Sequence, residues 1–228
     1  MTPNLNQNPV TFPIRSEFAM TANPLSLIRI VDDEPEMRAS LEFLLSTAGW
    51  HSQSYESAEE FLEKDNGLVP GCLLLDVRMR KMSGLELQDA LQRSDYSLPI
   101  IFITAHGDID MAVRAVKKGA FDFFEKPIDD ERLLEAVEKA VASDWEARAR
   151  QMNTRIWRKR YELLTEREKE VAAWVSTGLM NKIIADRLSI GEKTVQVHRG
   201  AVCRKLQVRS AVEIAKILDA LGIDIPTV

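Results

Sequence analysis

The chain has 228 residues, of which 45% are hydrophobic and 29% charged, with a formal net charge of −5 at pH 7. This is ordinary globular composition, with length for one or two cores; no internal repeat or low-complexity array is visible. No apolar run approaches the roughly 20 residues of a membrane-spanning helix, and Cys72 and Cys203 read as buried small hydrophobes in a reducing, cytoplasmic protein rather than as a disulfide.

Residues 1–26 contain no hydrophobic region of a signal peptide, and their Pro and Asn content predicts a disordered tail. Met20 offers an internal start beside Met1. LIRIV (27–31) reads as a strand, and Pro35 opens a helical pattern with apolar Met37, Leu41, Leu44, Leu45 and Ala48. HSQSY (51–55) is short and polar, as an edge strand would be, and precedes a helix around Ala58–Leu62. CLLLD (72–76) is a buried strand before a helix beginning near Gly84. PIIFIT (99–104) precedes a helix over Met111–Lys118, and FDFF (121–124) precedes one over Glu131–Val141. Five such β-α units predict a five-stranded parallel sheet with helices on both faces. In these sheets the working residues lie beyond the carboxyl ends of the strands. Asp32, Asp76, Thr104 and Lys126 fall there, so they are expected to converge.

Asp76 poses the chemical question. A carboxylate closing a run of buried leucines must be capped, paired, metal-bound or reactive, because burying it alone is costly. Asp32, Asp33 and Asp76 in close quarters repel one another unless a cation sits among them. Hard oxygen ligands with open positions suit Mg²⁺, which keeps waters and binds phosphate. Lys126 and Thr104 then flank a place for phosphoryl oxygens, and a screened carboxylate can act as nucleophile.

The stretches IVDDEP, LLLDVRM, FITAHGD and FFEKP resemble the receiver domain of two-component response regulators, over residues 27–143. The resemblance implies a doubly wound, flavodoxin-like fold in which Asp76 accepts a phosphoryl group from a sensor histidine kinase. It also implies that Asp33, Asp76 and the main-chain carbonyl of Arg78 bind Mg²⁺, with Asp32 assisting through water. Lys126 would pair with the phosphoryl oxygens, Thr104 would shift to bond one of them, and Phe123 would be the rotating aromatic switch. Lys126–Pro127 is expected to be cis. Two features depart from the pattern or bear on phosphoryl lifetime: Arg80 stands where the family has proline, and Arg78 and His106 occupy the positions that influence that lifetime. A phosphohydrolase resembling the haloacid dehalogenase group would need an acid where Arg78 stands, so a turnover enzyme is not expected.

The remaining chain has the opposite charge. Residues 1–143 hold 14 Lys+Arg against 24 Asp+Glu, whereas residues 144–228 hold 16 against 11, which points to a polyanion partner for the second part. Residues 144–160 lack Gly and Pro and read as a helical linker, with a partial apolar stripe of Trp145, Met152, Ile156 and Trp157. Residues 161–228 contain four short helical patterns and no strand alternation, giving an all-α four-helix domain. Thr165 with Glu168 forms a capping box. Asn181–Leu188 and Glu192–Leu206, separated by Ser189, Ile190 and Gly191, read as helix-turn-helix. In the second helix Val195, Val202 and Leu206 take core spacing. Lys193, Gln196, Val197, Gly200 and Arg204 share another face, one suited to the major groove.

This segment resembles the LuxR-type helix-turn-helix, and with the receiver it is similar to FixJ/NarL-type transcription factors. The resemblance implies base-edge contact by Gln196, Val197 and Arg199. Lys182, Lys193, Thr194 and Lys205 would hold phosphates, and His198 would support the helix or a phosphate contact. It further implies double-stranded promoter DNA and RNA polymerase as partners, homodimerisation on phosphorylation, and transcriptional activation. Many relatives carry lysine where Gln196 stands; glutamine pairs bidentately with adenine, so the preferred site is expected to differ.

Overall fold

The computed structural model describes residues 25–94, 96–105 and 109–227. The expected tail, apart from Leu25 and Ser26, and His106 lie outside them. The chain divides between Trp145 and Glu146 into two compact units.

In the first unit the elements are β1 (Leu27–Val31), α1 (Pro35–Thr47), β2 (His51–Tyr55), α2 (Ala58–Lys64), β3 (Gly71–Asp76), α3 (Gly84–Gln92), β4 (Ile100–Thr104), α4 (Ile109–Lys117), β5 (Asp122–Glu125) and the start of α5 (Asp130–Glu162). The strands are all parallel, in the order β2-β1-β3-β4-β5, the doubly wound flavodoxin-like order. Alternation along each strand sorts the side chains onto two faces. Ile28 and Ile30 join Cys72, Leu74, Ile101 and Ile103 against α1 and α5. Val31, Leu73, Leu75 and Phe102 face α2, α3 and α4. The interior strands β3 and β4 are therefore buried along their whole length, while polar β2 forms an edge.

The helix ends follow local chemistry. Pro35 sits in the first turn of α1, Ser57 caps α2, and Ser83 with Glu86 forms a capping box on α3. Ser26, placed in the tail by the sequence, is buried, and its hydroxyl accepts a hydrogen bond from Trp145 Nε1 at 2.9 Å, so ordered packing begins before Leu27. The helix predicted at 131–141 and the linker helix predicted at 144–160 both lie within α5.

The second unit contains the end of α5 with α6 (Glu166–Ser176), α7 (Asn181–Leu188), α8 (Glu192–Leu206) and α9 (Ala211–Ala220). Val171, Ala172, Val175, Ile184, Val195, Val202 and Leu206 form its core with Ile214, Ile217 and Leu218 of α9. Trp157 and Tyr161 of α5 pack against this core. Arg160 Nη1 donates to Leu206 O and Arg158 Nη2 to Leu221 O, satisfying carbonyls at the ends of α8 and α9. Between α7 and α8, Ser189 takes the left-handed conformation at φ 52°, and Gly191 starts α8. Thr165 and Glu168 form the predicted capping box.

Candidate functional site

Strand order changes direction between β1 and β3, which leaves a crevice at their carboxyl ends. Asp32 follows β1 and Asp76 ends β3; both are nearly buried, at 2% and 7% exposure. Lys126, just after β5, reaches across to them. Its Nζ lies 3.2 Å from Asp32 Oδ2, 3.4 Å from Asp76 Oδ1 and 3.6 Å from Glu34 Oε2.

Main-chain groups hold each member in place. Asp32 Oδ1 accepts the Glu34 N–H at 2.8 Å, and Asp76 Oδ2 accepts the Arg78 N–H at 2.7 Å. The Lys126 N–H donates to Thr104 O at 2.8 Å, and the Lys126–Pro127 bond is cis, as expected. Gly84 matters here for a steric reason that helix-start patterning does not reveal. A Cβ on it would lie 2.2 Å from Asp76 O, so only glycine lets α3 begin this close to the end of β3.

The charges are unbalanced. Burial first, and the Asp32 carboxylate second, push the Asp76 pKa up to about 6, although Lys126 and the Arg78 N–H oppose the shift. Burial works against the charge on Lys126, but Asp32 and Asp76 beside it hold its pKa above the ordinary lysine value.

Asp33 does not join this cluster. Its Oδ2 accepts the Arg80 N–H at 3.2 Å, with Arg80 Nε 3.6 Å away. The expected convergence of three carboxylates is thus two on Lys126 and one turned toward the β3–α3 loop. A proline at position 80 would have no N–H to offer, which gives the Arg80 departure a physical consequence. Among the described residues, no group of three or more His, Cys, Asp or Glu side chains is arranged to hold a metal ion. Mg²⁺ does not require such a cage, since it is commonly held by one or two carboxylates and retains water. A largely buried carboxylate beside a second carboxylate fits a divalent cation, and Asp33, Asp76 and the Arg78 carbonyl are the oxygens that would hold it, with Asp32 engaged by Lys126. A groove of about 520 Å³ opens beside Asp33 and is lined by Arg38, Glu56, Glu59, Arg80 and Lys81, among others.

Thr104 ends β4, one residue beyond the Asp76–Ile103 pair, and is buried. Phe123 lies half-buried in β5 with its ring 6.3 Å from that of Phe102. Both predicted switch residues therefore lie on strands that border the site.

In the second unit Lys193, Thr194, Gln196, Val197, Gly200 and Arg204 are exposed on α8, and Lys182 is exposed on α7. Val197 is 69% exposed, an apolar side chain with no partner in this unit's core. His198 is half-buried. Two predicted contacts stand differently. Arg199 is half-buried, and its Nη1 donates to Asn181 Oδ1 at 3.1 Å, so the first residue of α7 tethers it. Lys205 Nζ donates to Glu168 Oε2 at 2.6 Å, tying α8 to the α6 capping box. Nothing in the helical spacing distinguished Arg199 and Lys205 from the freely exposed residues, because their partners lie 18 and 37 residues away.

Residues 28–138 match the response regulator receiver domain, and residues 162–218 match the bacterial regulatory proteins of the luxR family. Over 202 residues the chain is 41% identical to Nodulation protein W of Bradyrhizobium diazoefficiens, covering 89% of each chain. The chain is a response regulator. It is also 40% identical over 195 residues to Transcriptional regulatory protein FixJ of Rhizobium meliloti, covering 86% of this chain and 96% of that one. The solved structure of the response regulator StyR superposes on this regulator with a TM-score of 0.73 at 40% identity, covering 85% of this chain and 98% of that one. The regulator thus pairs a receiver domain with a LuxR-type DNA-binding domain. Among its described residues no helix is long and apolar enough to cross a membrane.

Proposed function

We propose that this regulator takes a phosphoryl group onto Asp76 from a sensor histidine kinase and converts that event into promoter binding. The observation that carries the proposal is the buried Asp76 carboxylate at a strand end, beside Asp32 and within 3.4 Å of the Lys126 ammonium. In the transfer an Asp76 oxygen bonds to phosphorus as the phosphorus–nitrogen bond of a phosphohistidine breaks in line, and the imidazole leaves with the electron pair. Lys126 neutralises the added charge, the Arg78 N–H orients the carboxylate, and Thr104 shifts to bond a phosphoryl oxygen. Mg²⁺, when bound by Asp33, Asp76 and the Arg78 carbonyl, supplies the positive charge that lets an anionic carboxylate meet an anionic phosphoryl group.

Thr104 and Phe123 then change the surface near α4 and β5, and the receiver domains of two copies associate. The paired helix-turn-helix domains occupy neighbouring half-sites on double-stranded promoter DNA. Lys182, Lys193 and Thr194 lie on phosphates, and Gln196 and Val197 lie at base edges. Arg199, held by Asn181, supports a base or groove contact, and Lys205 a phosphate contact only if it leaves Glu168. The outcome is activation through RNA polymerase, in the cytoplasm. The receiver spans residues 27–143, the linker 144–160 and the DNA-binding domain 161–228. The protein is a phosphoryl acceptor with slow self-dephosphorylation, not a turnover enzyme.

The test is incubation with Mg²⁺ and acetyl phosphate, followed by intact mass and promoter-binding measurements. Wild-type protein should gain one phosphoryl group and bind DNA more tightly, and Asp76→Asn should do neither. A phosphoryl group or undiminished stimulation in Asp76→Asn refutes the proposal.

A further inference from the structure

Two cations divide the three carboxylates at the strand ends. Lys126, its side chain only 12% exposed, reaches both Asp32 and Asp76. Asp33 is met instead by Arg80, whose N–H donates to Oδ2 at 3.2 Å and whose Nε lies 3.6 Å from the same oxygen. The Arg80 side chain is 91% exposed, against 21% for that of Asp33. A pair so exposed is weak and screened by salt, so the guanidinium can swing into solvent at little cost. Other cations in the adjoining groove are directed elsewhere. Arg38 donates to Asp32 O at 2.6 Å, and the charge of Lys81 bears on Glu59.

We infer that Arg80 is a tethered counter-ion that competes with Mg²⁺ for Asp33, and so sets how much Mg²⁺ the receiver needs. The inference rests on the metal site proposed above. Mg²⁺ demands near-ideal octahedral geometry, so a carboxylate that binds it must turn to meet it. The Asp33 carboxylate is drawn toward the β3–α3 loop by a main-chain N–H and a guanidinium. For the metal to load, the guanidinium must give up its place, and its charge is then left near a dication. Both effects weaken Mg²⁺ binding. A proline at this position would bring neither the N–H nor the charge. Arg80 is thus a positioning residue, which acts through Asp33 and takes no part in the bond changes at Asp76.

The experiment titrates the full chain with Mg²⁺ and follows binding by the amide chemical shifts of residues 77–84. Wild type, Arg80→Gln and Arg80→Lys are compared at low and at high salt. Arg80→Gln keeps the N–H and loses the charge, and should bind Mg²⁺ about fivefold more tightly at low salt. High salt should close that gap to less than about twofold. Arg80→Lys keeps the charge and should stay within about twofold of wild type. Three results overturn the inference and leave the metal site intact: equal or weaker binding by Arg80→Gln at low salt, a gap that salt does not narrow, or Arg80→Lys matching Arg80→Gln. Mg²⁺ affinity unaltered by both Asp33→Asn and Asp76→Asn overturns the site itself.

Discussion

Arg29 and Asp65 form an ion pair inside the receiver domain, Nε to Oδ2 at 2.9 Å, with their side chains only 1% and 5% exposed. Arg29 stands in the middle of β1 between Leu27 and Val31 on its face and beside Leu73 of β3, and its Nη1 also donates to Leu27 O. Asp65 ends α2 and collects the hydroxyls of Tyr55 and Tyr96 and the N–H of Gly67. Burial works to raise the Asp65 pKa, but bonds from Arg29, Tyr96 and Gly67 hold it below the usual carboxylate value. One carboxylate thus joins β1, β2, the end of α2 and the segment before β4.

Removing one partner of such a pair leaves an uncompensated buried charge. Asp65→Ala is expected to cost the receiver domain about 3–5 kcal/mol, read as a lowered midpoint in urea unfolding. The pH dependence has a definite sign. A depressed folded pKa gives stability that is present above the unfolded value of about 3.9 and is lost as pH falls through the folded value. Wild type should therefore lose this contribution only below about pH 4. An Asp65→Ala midpoint equal to wild type would refute the account.

Asp76 contributes with the opposite sign. Its folded pKa, pushed up to about 6, makes the metal-free protein less stable at neutral pH than it is below the unfolded value. Asp76→Asn should stabilise the metal-free receiver by about 2 kcal/mol at pH 7.5, with the gain vanishing as pH falls from about 6 to about 4. Mg²⁺ should raise the Tm of wild type and have much less effect on the variant. Calorimetry at several pH values tests both statements, and a destabilised Asp76→Asn at pH 7.5 would contradict them.

Lys193 and Lys205 should separate in a salt titration. Lys193→Ala should reduce the slope of log affinity against log salt by about 1, as expected for a lost phosphate contact. Lys205→Ala should instead leave the slope unchanged and destabilise the helix-turn-helix domain by about 1 kcal/mol, because its partner is Glu168. A reduced slope without loss of stability would return Lys205 to the DNA backbone.

The end of α5 should prove part of the DNA-binding domain. A fragment beginning at Glu146 retains Trp157, Tyr161, Arg158 and Arg160, whereas one beginning at Leu163 loses two aromatic rings from the core and two bonds to helix-terminal carbonyls. The shorter fragment should be less stable by at least about 3 kcal/mol in urea. Equal midpoints would show that the segment is dispensable.

The receiver was highly legible because its chemistry sits at strand ends. LIRIV, CLLLD and PIIFIT each declare a buried strand, and the parallel order brings the residues that follow them together whatever their separation in sequence. The helix-turn-helix was legible from Thr165, Glu168 and the Ser189–Gly191 turn, whose requirements are local. Side-chain partners across elements left no periodic trace, as Asp33 with Arg80, Arg199 with Asn181 and Lys205 with Glu168 illustrate. Arg29 did leave a signal, a charge within an apolar strand, but its partner is 36 residues away.

Gly84 carries no charge, donates only a main-chain N–H to Val77 O, and would take part in no step of phosphoryl transfer. Any side chain there would press against the carbonyl of Asp76 and move the strand end that bears the acceptor. In a collection of loss-of-function alleles, position 84 should appear as intolerant as position 76, marking an address that chemistry depends on but does not use.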